Sequence, residues 1–284
     1  MKRAKSITLP TFLYIGSQKA GSTWIYDTLK EHPEVFMPEA KNLNFFNMHY
    51  RRGIEWYASF FEVKGEVKAI GEASHDYFLS EETAQRIYEN LPEVKLICCL
   101  REPVERTISA YIFYRRIDIT RKTTFAEFAF RPDTLKYIDY YNNLLPYYNL
   151  FPKKNIQVLF FDETKADPEK VAKKLYNFIE VDSHFTPSTI NLKIHPAAEP
   201  RWDKLAHLVY KVACFTRERG FLNFLGRTKR NILLNWILYK KVSEKPEIPY
   251  HLKVKLRDYF KDDYQKLSEL IERPLPESWF SDDY

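Results

Sequence analysis

The three cysteines of this 284-residue chain do not form a disulfide framework. Cys98 and Cys99 lie inside the apolar run from Val94 to Leu100 and read as small core residues, which leaves Cys214 alone. No group of cysteine, histidine or carboxylate residues has metal-ligand spacing, so no metal is expected. No apolar stretch approaches the roughly 20 residues that cross a bilayer. Met1 to Thr11 is short and mildly basic, without the apolar centre of a signal peptide. A cytoplasmic protein is the simplest expectation; a domain cut from a membrane-anchored parent would have the same sequence character. Internal repeats and low-complexity linkers are also missing, and one domain over residues 1–284 is expected.

The composition is that of an ordinary globular protein, 45% hydrophobic and 29% charged, with a high aromatic share of 16%. A formal charge of +6 mildly favours an anionic ligand. Basic clusters at Arg51-Arg52, Arg115-Arg116, Arg227 to Arg230 and Lys240-Lys241 read mostly as solvated faces. Strand and helix patterns alternate through the first two thirds of the chain. Strands are expected at Phe12 to Ile15, Val67 to Ile70, Val94 to Leu100 and Ile156 to Phe161. Helices are expected at Ser22 to Glu31, Ser80 to Asn90, Pro103 to Arg116 and about Pro168 to Ile179. This order predicts an α/β domain, a central parallel sheet flanked by helices, with its core at about 12–181. Beyond Val181 no good strand candidate is found, and the part at about 200–284 is expected to be helical. There Leu252, Leu256, Tyr259, Phe260, Tyr264, Leu267, Leu270 and Ile271 recur at the spacing of an amphipathic helix.

Two segments carry chemistry. Gly16-Ser17-Gln18-Lys19-Ala20-Gly21-Ser22-Thr23-Trp24 joins a strand to a helix, a P-loop-like arrangement that turns backbone N–H groups and a helix N-terminus toward an anion. Relative to the G-x-x-x-x-G-K-[ST] triphosphate loop, the lysine has moved into the loop as Lys19, and Ser22 stands in its usual place. The third strand ends in Arg101-Glu102-Pro103, where an ATPase usually places a magnesium-binding aspartate. Arginine binds no cation, but its planar fork suits a phosphate, and Ser109 two helical turns on supplies a second donor. A nucleotide with an extra phosphate, held without a metal, is the ligand these residues suggest.

Gln18 to Trp24 resembles the 5'-phosphosulfate loop of the PAPS-dependent sulfotransferases, where PAPS is 3'-phosphoadenosine-5'-phosphosulfate. Arg101 to Ser109 resembles the family's 3'-phosphate site. Asn44-Phe45-Phe46-Asn47, Gly53 to Tyr57, Gly71-Glu72-Ala73-Ser74 and Tyr77-Phe78 are similar to the glycan N- and O-sulfotransferase branch and its bacterial relatives. The likeness runs from about Phe12 to Ile179 and returns in Leu256 to Trp279. It implies in-line attack on sulfur by a hydroxyl or amine, with adenosine 3',5'-bisphosphate leaving. Lys19 would neutralise the bridging oxygen. Gln18, Lys19, Ala20, Gly21, Ser22, Thr23, Arg101 and Ser109 would bind the donor, and Trp24 would either stack on its adenine or belong to the core. The implied partner is a sugar-containing or small acceptor, not a nucleic-acid polymer.

One departure stands out. The glycan branch carries a catalytic glutamate in a Lys-Glu-x-x-Phe-Phe segment, and this chain reads Lys41-Asn42-Leu43-Asn44-Phe45-Phe46. Asn42 cannot accept a proton from the acceptor. His75 and Glu72 are the expected substitutes, with Glu39 behind them. Two other functions fit parts of the sequence. A P-loop kinase acting on a small metabolite would need a magnesium carboxylate, for which Asp162 is the one tempting residue. A non-catalytic protein binding anionic glycans or membranes would use the apolar and basic stretch 221–241 as a peripheral contact.

Overall fold

The computed structural model describes residues 7–115, 123–190, 198–202, 239–241 and 247–281, with scattered positions between 205 and 216. Strand β1 (Phe12–Gly16) leads into helix α1 (Ser22–Glu31), short strand β2 (Val35–Phe36), α2 (Ile54–Ala58), β3 (Ala69–Ala73), α3 (Glu81–Asn90), β4 (Lys95–Leu100) and α4 (Pro103–Tyr114). Then come α5 (Phe125–Ala129), α6 (Pro132–Lys136), α7 (Tyr140–Leu150), β5 (Ile156–Phe160), α8 (Phe161–Ala166) and α9 (Pro168–Phe178). Strands β6 (Ala198–Pro200) and β7 (Tyr239–Lys241) and helix α10 (Tyr250–Leu270) complete the order.

The first five strands make one parallel sheet in the order β2-β3-β1-β4-β5. All five residues of β1 are buried, as a central strand covered on both faces requires. Alternate residues feed two cores. Leu13, Ile15, Leu96, Cys98 and Leu100 face the larger one, shared with residues of α3, α4, α7 and α10. Phe12, Tyr14, Ile97 and Cys99 face the other, with residues of α1 and α9. Helix starts follow local chemistry. Ser80 accepts from Thr83 N–H ahead of α3, and Asp167 from Lys170 N–H ahead of α9. Glu102 accepts from the N–H groups of Val104 and Glu105 at 3.1 and 2.6 Å, with Pro103 in the first turn of α4.

Strand order decides which loops are neighbours. The chain passes from β1 to the edge strand β2, back to β3 and then across to β4 on the far side of β1, so β1 sits at a switch point, where open parallel sheets bind ligands beyond their carboxyl ends. The segments leaving β3, β1 and β4 therefore lie side by side.

Two expectations need correction. Strand pairing does occur beyond Val181, because β6 and β7 form an antiparallel pair from Ala198↔Lys241 to Pro200↔Tyr239. Each strand has three residues, too few for an alternating pattern to show. Expected to end at Ile70, β3 instead runs Ala69–Ala73, so Glu72 lies within the strand and not after it. A carboxylate hides the strand pattern, and the fold accommodates it with hydrogen bonds from Tyr57 and Ser74. The rest of the 221–241 stretch lies outside the described residues. Among the described residues no helix is long and apolar enough to cross a membrane.

Helix α10 docks through Leu256, Phe260, Tyr264 and Leu267, whereas Tyr259, expected on the same face, is exposed. The chain after it folds back across the sheet. Trp279 is fully buried against Tyr140, Phe160 and Tyr264. Its indole N–H and the Ser278 hydroxyl donate to Asp162, while Arg273 pairs with Glu163.

Candidate active site

The loop after β1 is shaped by its own backbone and gripped from α4. Lys19 and Gly21 have φ of 69° and 84°, left-handed conformations that turn successive peptides the same way before α1 begins. Gly16 is required by close approach: a Cβ there would lie 2.6 Å from Phe78 Cβ and 3.1 Å from the His75 carbonyl oxygen. The segment after β3 therefore packs directly on the start of the loop. Arg106 is 1% exposed and donates through Nε to the Gln18 carbonyl at 3.2 Å and through Nη2 to Gln18 Oε1 at 3.3 Å. Its guanidinium also covers the Tyr137 ring at 4.5 Å. Burial pushes the Arg106 pKa down to about 10, which leaves it charged at neutral pH.

Arg101 stands at the end of β4, as the sequence predicts. It donates to the Lys19 carbonyl at 3.3 Å, pairs with Glu105 at 2.7 Å and lies over the Phe161 ring at 4.8 Å. Its Nε is buried and has no hydrogen-bond partner among the described residues, a costly state for a guanidinium N–H. Tyr140 O–H fixes the strand end by donating to the Arg101 carbonyl at 2.7 Å. Ser109 is half-buried on α4, and its side chain makes no hydrogen bond with the described residues. Lys19 Nζ lies 4.7 Å above the Phe113 ring, also on α4. Thus Gln18, Lys19, Arg101 and Ser109 converge on one helix. Ala20 is fully buried, and Gly21 caps α1.

Trp24 goes elsewhere. Only 6% exposed, it belongs to the α1–α9 core and donates its indole N–H to the Ile190 carbonyl at 3.2 Å. The structure therefore takes the core alternative for its side chain. Asp162, the carboxylate a kinase would need, is occupied by Ser278 and Trp279. Among the described residues no three His, Cys, Asp or Glu side chains are grouped to hold a metal ion.

Two cations at the loop go beyond the expected set. Lys41 Nζ donates to the Ser22 and Thr23 hydroxyls at 3.1 and 3.3 Å. Its sequence signal is the Lys-Asn-x-x-Phe-Phe segment, where it directly precedes the unusual Asn42. Arg106 is visible in the sequence only as a member of the Arg101–Ser109 motif. Nothing in one sequence says that this arginine buttresses Gln18.

The side facing the loop from β3 is built around a buried carboxylate. Glu72 is 1% exposed; it accepts from Tyr57 O–H at 3.0 Å and from Ser74 O–H. Ser74 Oγ also accepts from Asn44 N–H at 3.0 Å, and Tyr77 O–H accepts from Phe45 N–H at 2.9 Å. Burial raises the Glu72 pKa to about 7, against the opposing pull of the Ser74 and Tyr57 hydrogen bonds. This network holds the 42–46 segment, where Asn42 and Asn44 have left-handed φ of 61° and 52°. His75 comes next in the chain. Its Nδ1 lies 2.8 Å from Asp76 Oδ1, and its Nε2 lies 3.2 Å from Asn42 Nδ2. Position 42 and His75 are thus in contact, whereas Glu72 faces inward. Glu39 is paired with Lys30 at 2.7 Å.

A parallel sheet whose switch point carries a backbone-lined loop and an adjacent arginine is suited to an anionic ligand. Residues 9–196 match the family described as "Sulfotransferase domain". With more than half of its length matched, the chain belongs to the sulfotransferase family. It is 27% identical, over 95% of its length, to the human bifunctional heparan sulfate N-deacetylase/N-sulfotransferase 3. It is 41% identical, over 38% of its length, to the membrane-associated sulfotransferase kil1 of Dictyostelium discoideum. The matched regions span 31% and 24% of those two proteins. In fold it resembles a sulfotransferase from Alicyclobacillus acidocaldarius, with a TM-score of 0.69, 22% identity and coverage of 97% of this chain and 100% of the other. Membership of this family does not favour the kinase and pure binding readings.

Proposed function

We propose that the chain transfers the sulfuryl group of PAPS to a hydroxyl or amine of a carbohydrate or glycolipid. The observation that carries the donor assignment is Arg101, with its buried unpaired Nε, at the strand end beside the Lys19 loop. Arg101 and Ser109 bind the 3'-phosphate. Gln18 to Thr23 cradle the 5'-phosphosulfate with backbone N–H groups and the hydroxyls of Ser22 and Thr23. Lys19, with Lys41 behind the hydroxyls, opposes the negative charge that develops on the bridging oxygen. The acceptor oxygen or nitrogen forms the new bond to sulfur as the sulfur–oxygen bond to the 5'-phosphate breaks. The departing electron pair stays on adenosine 3',5'-bisphosphate.

His75 Nε2 takes the acceptor proton in this reading, and Glu72 supports it by holding Ser74 and the 42–46 segment in place. The carbohydrate acceptor rests on the heparan sulfate relatives. Residues 1–284 form one domain, a reading supported by the packing of α10 and Trp279 onto the sheet core. A cytoplasmic location completes the proposal; recovery of the protein in the membrane fraction would replace it.

Calorimetry in EDTA tests the donor. Adenosine 3',5'-bisphosphate should bind more tightly than adenosine 5'-phosphate by about 1.5–3 kcal/mol, the worth of a charge-assisted contact. Equal affinity would sink the 3'-phosphate site. Incubating candidate glycans with PAPS and reading sulfate mass gain identifies the acceptor.

A further inference from the structure

The contacts of His75 are polarised. Asp76 Oδ1 lies 2.8 Å from Nδ1, and a carboxylate only accepts, so the ring proton sits on Nδ1. Asn42 Nδ2, an N–H donor, lies 3.2 Å from Nε2, which therefore presents its lone pair toward position 42. Asp76 is itself held. Tyr137 O–H donates to the same Oδ1 at 2.9 Å, and the Tyr137 ring lies under the buried Arg106 that grips Gln18. His75 and Asp76 side chains are 15% and 27% exposed, so the pair is largely shielded from competing water.

We propose that Asp76, clamped by Tyr137, is a positioning residue that fixes His75 with its proton on Nδ1 and its lone pair on Nε2 aimed at position 42. A carboxylate–imidazole pair would thereby take over the work of the single glutamate that the resembling glycan enzymes carry at position 42. The proposal rests on the reading of His75 as base. An acceptor O–H or N–H that displaces the Asn42 amide donates to the same lone pair. As the bond to sulfur forms, its proton passes to Nε2, and the imidazolium keeps its Nδ1–H on the Asp76 carboxylate. The Oδ1 of Asn42 is buried without a partner and offers the incoming group or the imidazolium a second hydrogen bond. Through Tyr137 and Arg106 the same clamp reaches the loop that cradles the donor.

Long-range ¹H–¹⁵N NMR of the full chain, with and without adenosine 3',5'-bisphosphate, reads the tautomer directly. The His75 signals are assigned by their absence from His75→Ala. Wild type should show a protonated Nδ1 and an unprotonated Nε2. In Asp76→Asn the side-chain amide can donate to Nδ1, so the proton should move to Nε2; Asp76→Glu should restore the wild-type pattern in part. Turnover of ³⁵S-labelled PAPS onto N-desulfated heparin should fall by about 10²-fold or more in Asp76→Asn. It should fall no further when Asp76→Asn is added to His75→Ala. A wild-type Nε2–H tautomer, an unchanged spectrum in Asp76→Asn, or additive losses would overturn the Asp76 assignment and leave His75 as base. Wild-type turnover in His75→Ala would overturn both. Unchanged affinity for adenosine 3',5'-bisphosphate in each variant confirms that the losses are not misfolding.

Discussion

The two sides of the site are held by opposite means. On the donor side, cations reach backbone: Arg106 grips the carbonyl of Gln18 and Arg101 that of Lys19. The arginines occupy two of the loop's carbonyls and bring positive charge to it. On the acceptor side, a buried carboxylate does the organising. Glu72 holds Ser74 and Tyr57, and Ser74 and Tyr77 in turn receive the N–H groups of Asn44 and Phe45. On that side the Oδ1 atoms of Asn42, Asn44 and Asn47 are buried without partners among the described residues. One side thus brings cations to backbone carbonyls, and the other leaves hydrogen-bond acceptors uncommitted.

The comparison makes four predictions, taken from the largest effect to the smallest. Lys19→Ala should lower turnover by roughly 10²-fold or more while donor affinity changes little, because charge on the bridging oxygen develops only in the transition state. Weakened donor binding with normal turnover would make Lys19 a simple anchor. Arg101→Ala should weaken adenosine 3',5'-bisphosphate by about 1.5–3 kcal/mol and leave adenosine 5'-phosphate nearly unaffected, as calorimetry can show.

The acceptor wall is tested by pH. With a folded pKa of about 7 against an ordinary 4.5, Glu72 binds its proton more tightly in the native state. Its contribution to stability is complete below pH 4.5 and lost as pH rises through about 7, a change of at most about 3 kcal/mol. Glu72→Gln is uncharged throughout. Urea unfolding should show its stability gaining on wild type by about that amount between pH 5 and 8; parallel curves would mean that Glu72 is not protonated in the fold. Finally, Trp24→Phe should change donor affinity by less than about 0.5 kcal/mol, because the indole is committed to the core. A larger loss would return Trp24 to the nucleotide.

The donor wall was largely legible in the sequence because it is made of contiguous segments. A glycine-bounded loop and an arginine at a strand end announce their chemistry by position, and both land as expected on β1, β4 and α4. The acceptor wall was legible only in part. Asn42 stood out against the resembling family, and His75 followed as a substitute, but they stand 33 positions apart and meet only once the intervening chain has folded. Glu72 misled the strand boundary, because a lone carboxylate in a strand looks like its end until Tyr57 and Ser74 are seen to receive it. Helices α5, α6 and α7 carried no expectation at all. Yet α7 supplies Tyr140, and Tyr137 follows α6, two residues that fix the site from outside any motif.

The tail around Trp279 sets an order on biosynthesis. Phe161, which lies under Arg101, opens the same helix as Asp162 and Glu163, and these two are tied to Ser278, Trp279 and Arg273. Tyr140, which fixes the strand end, packs on Trp279 as well. A nascent chain that has passed residue 270 has already made both nucleotide motifs and Phe161, but not the Arg273, Ser278 and Trp279 contacts that brace the helix under Arg101. That bracing forms only once residues 273–279 have been made. Losing those residues would release the helix while leaving every motif in place.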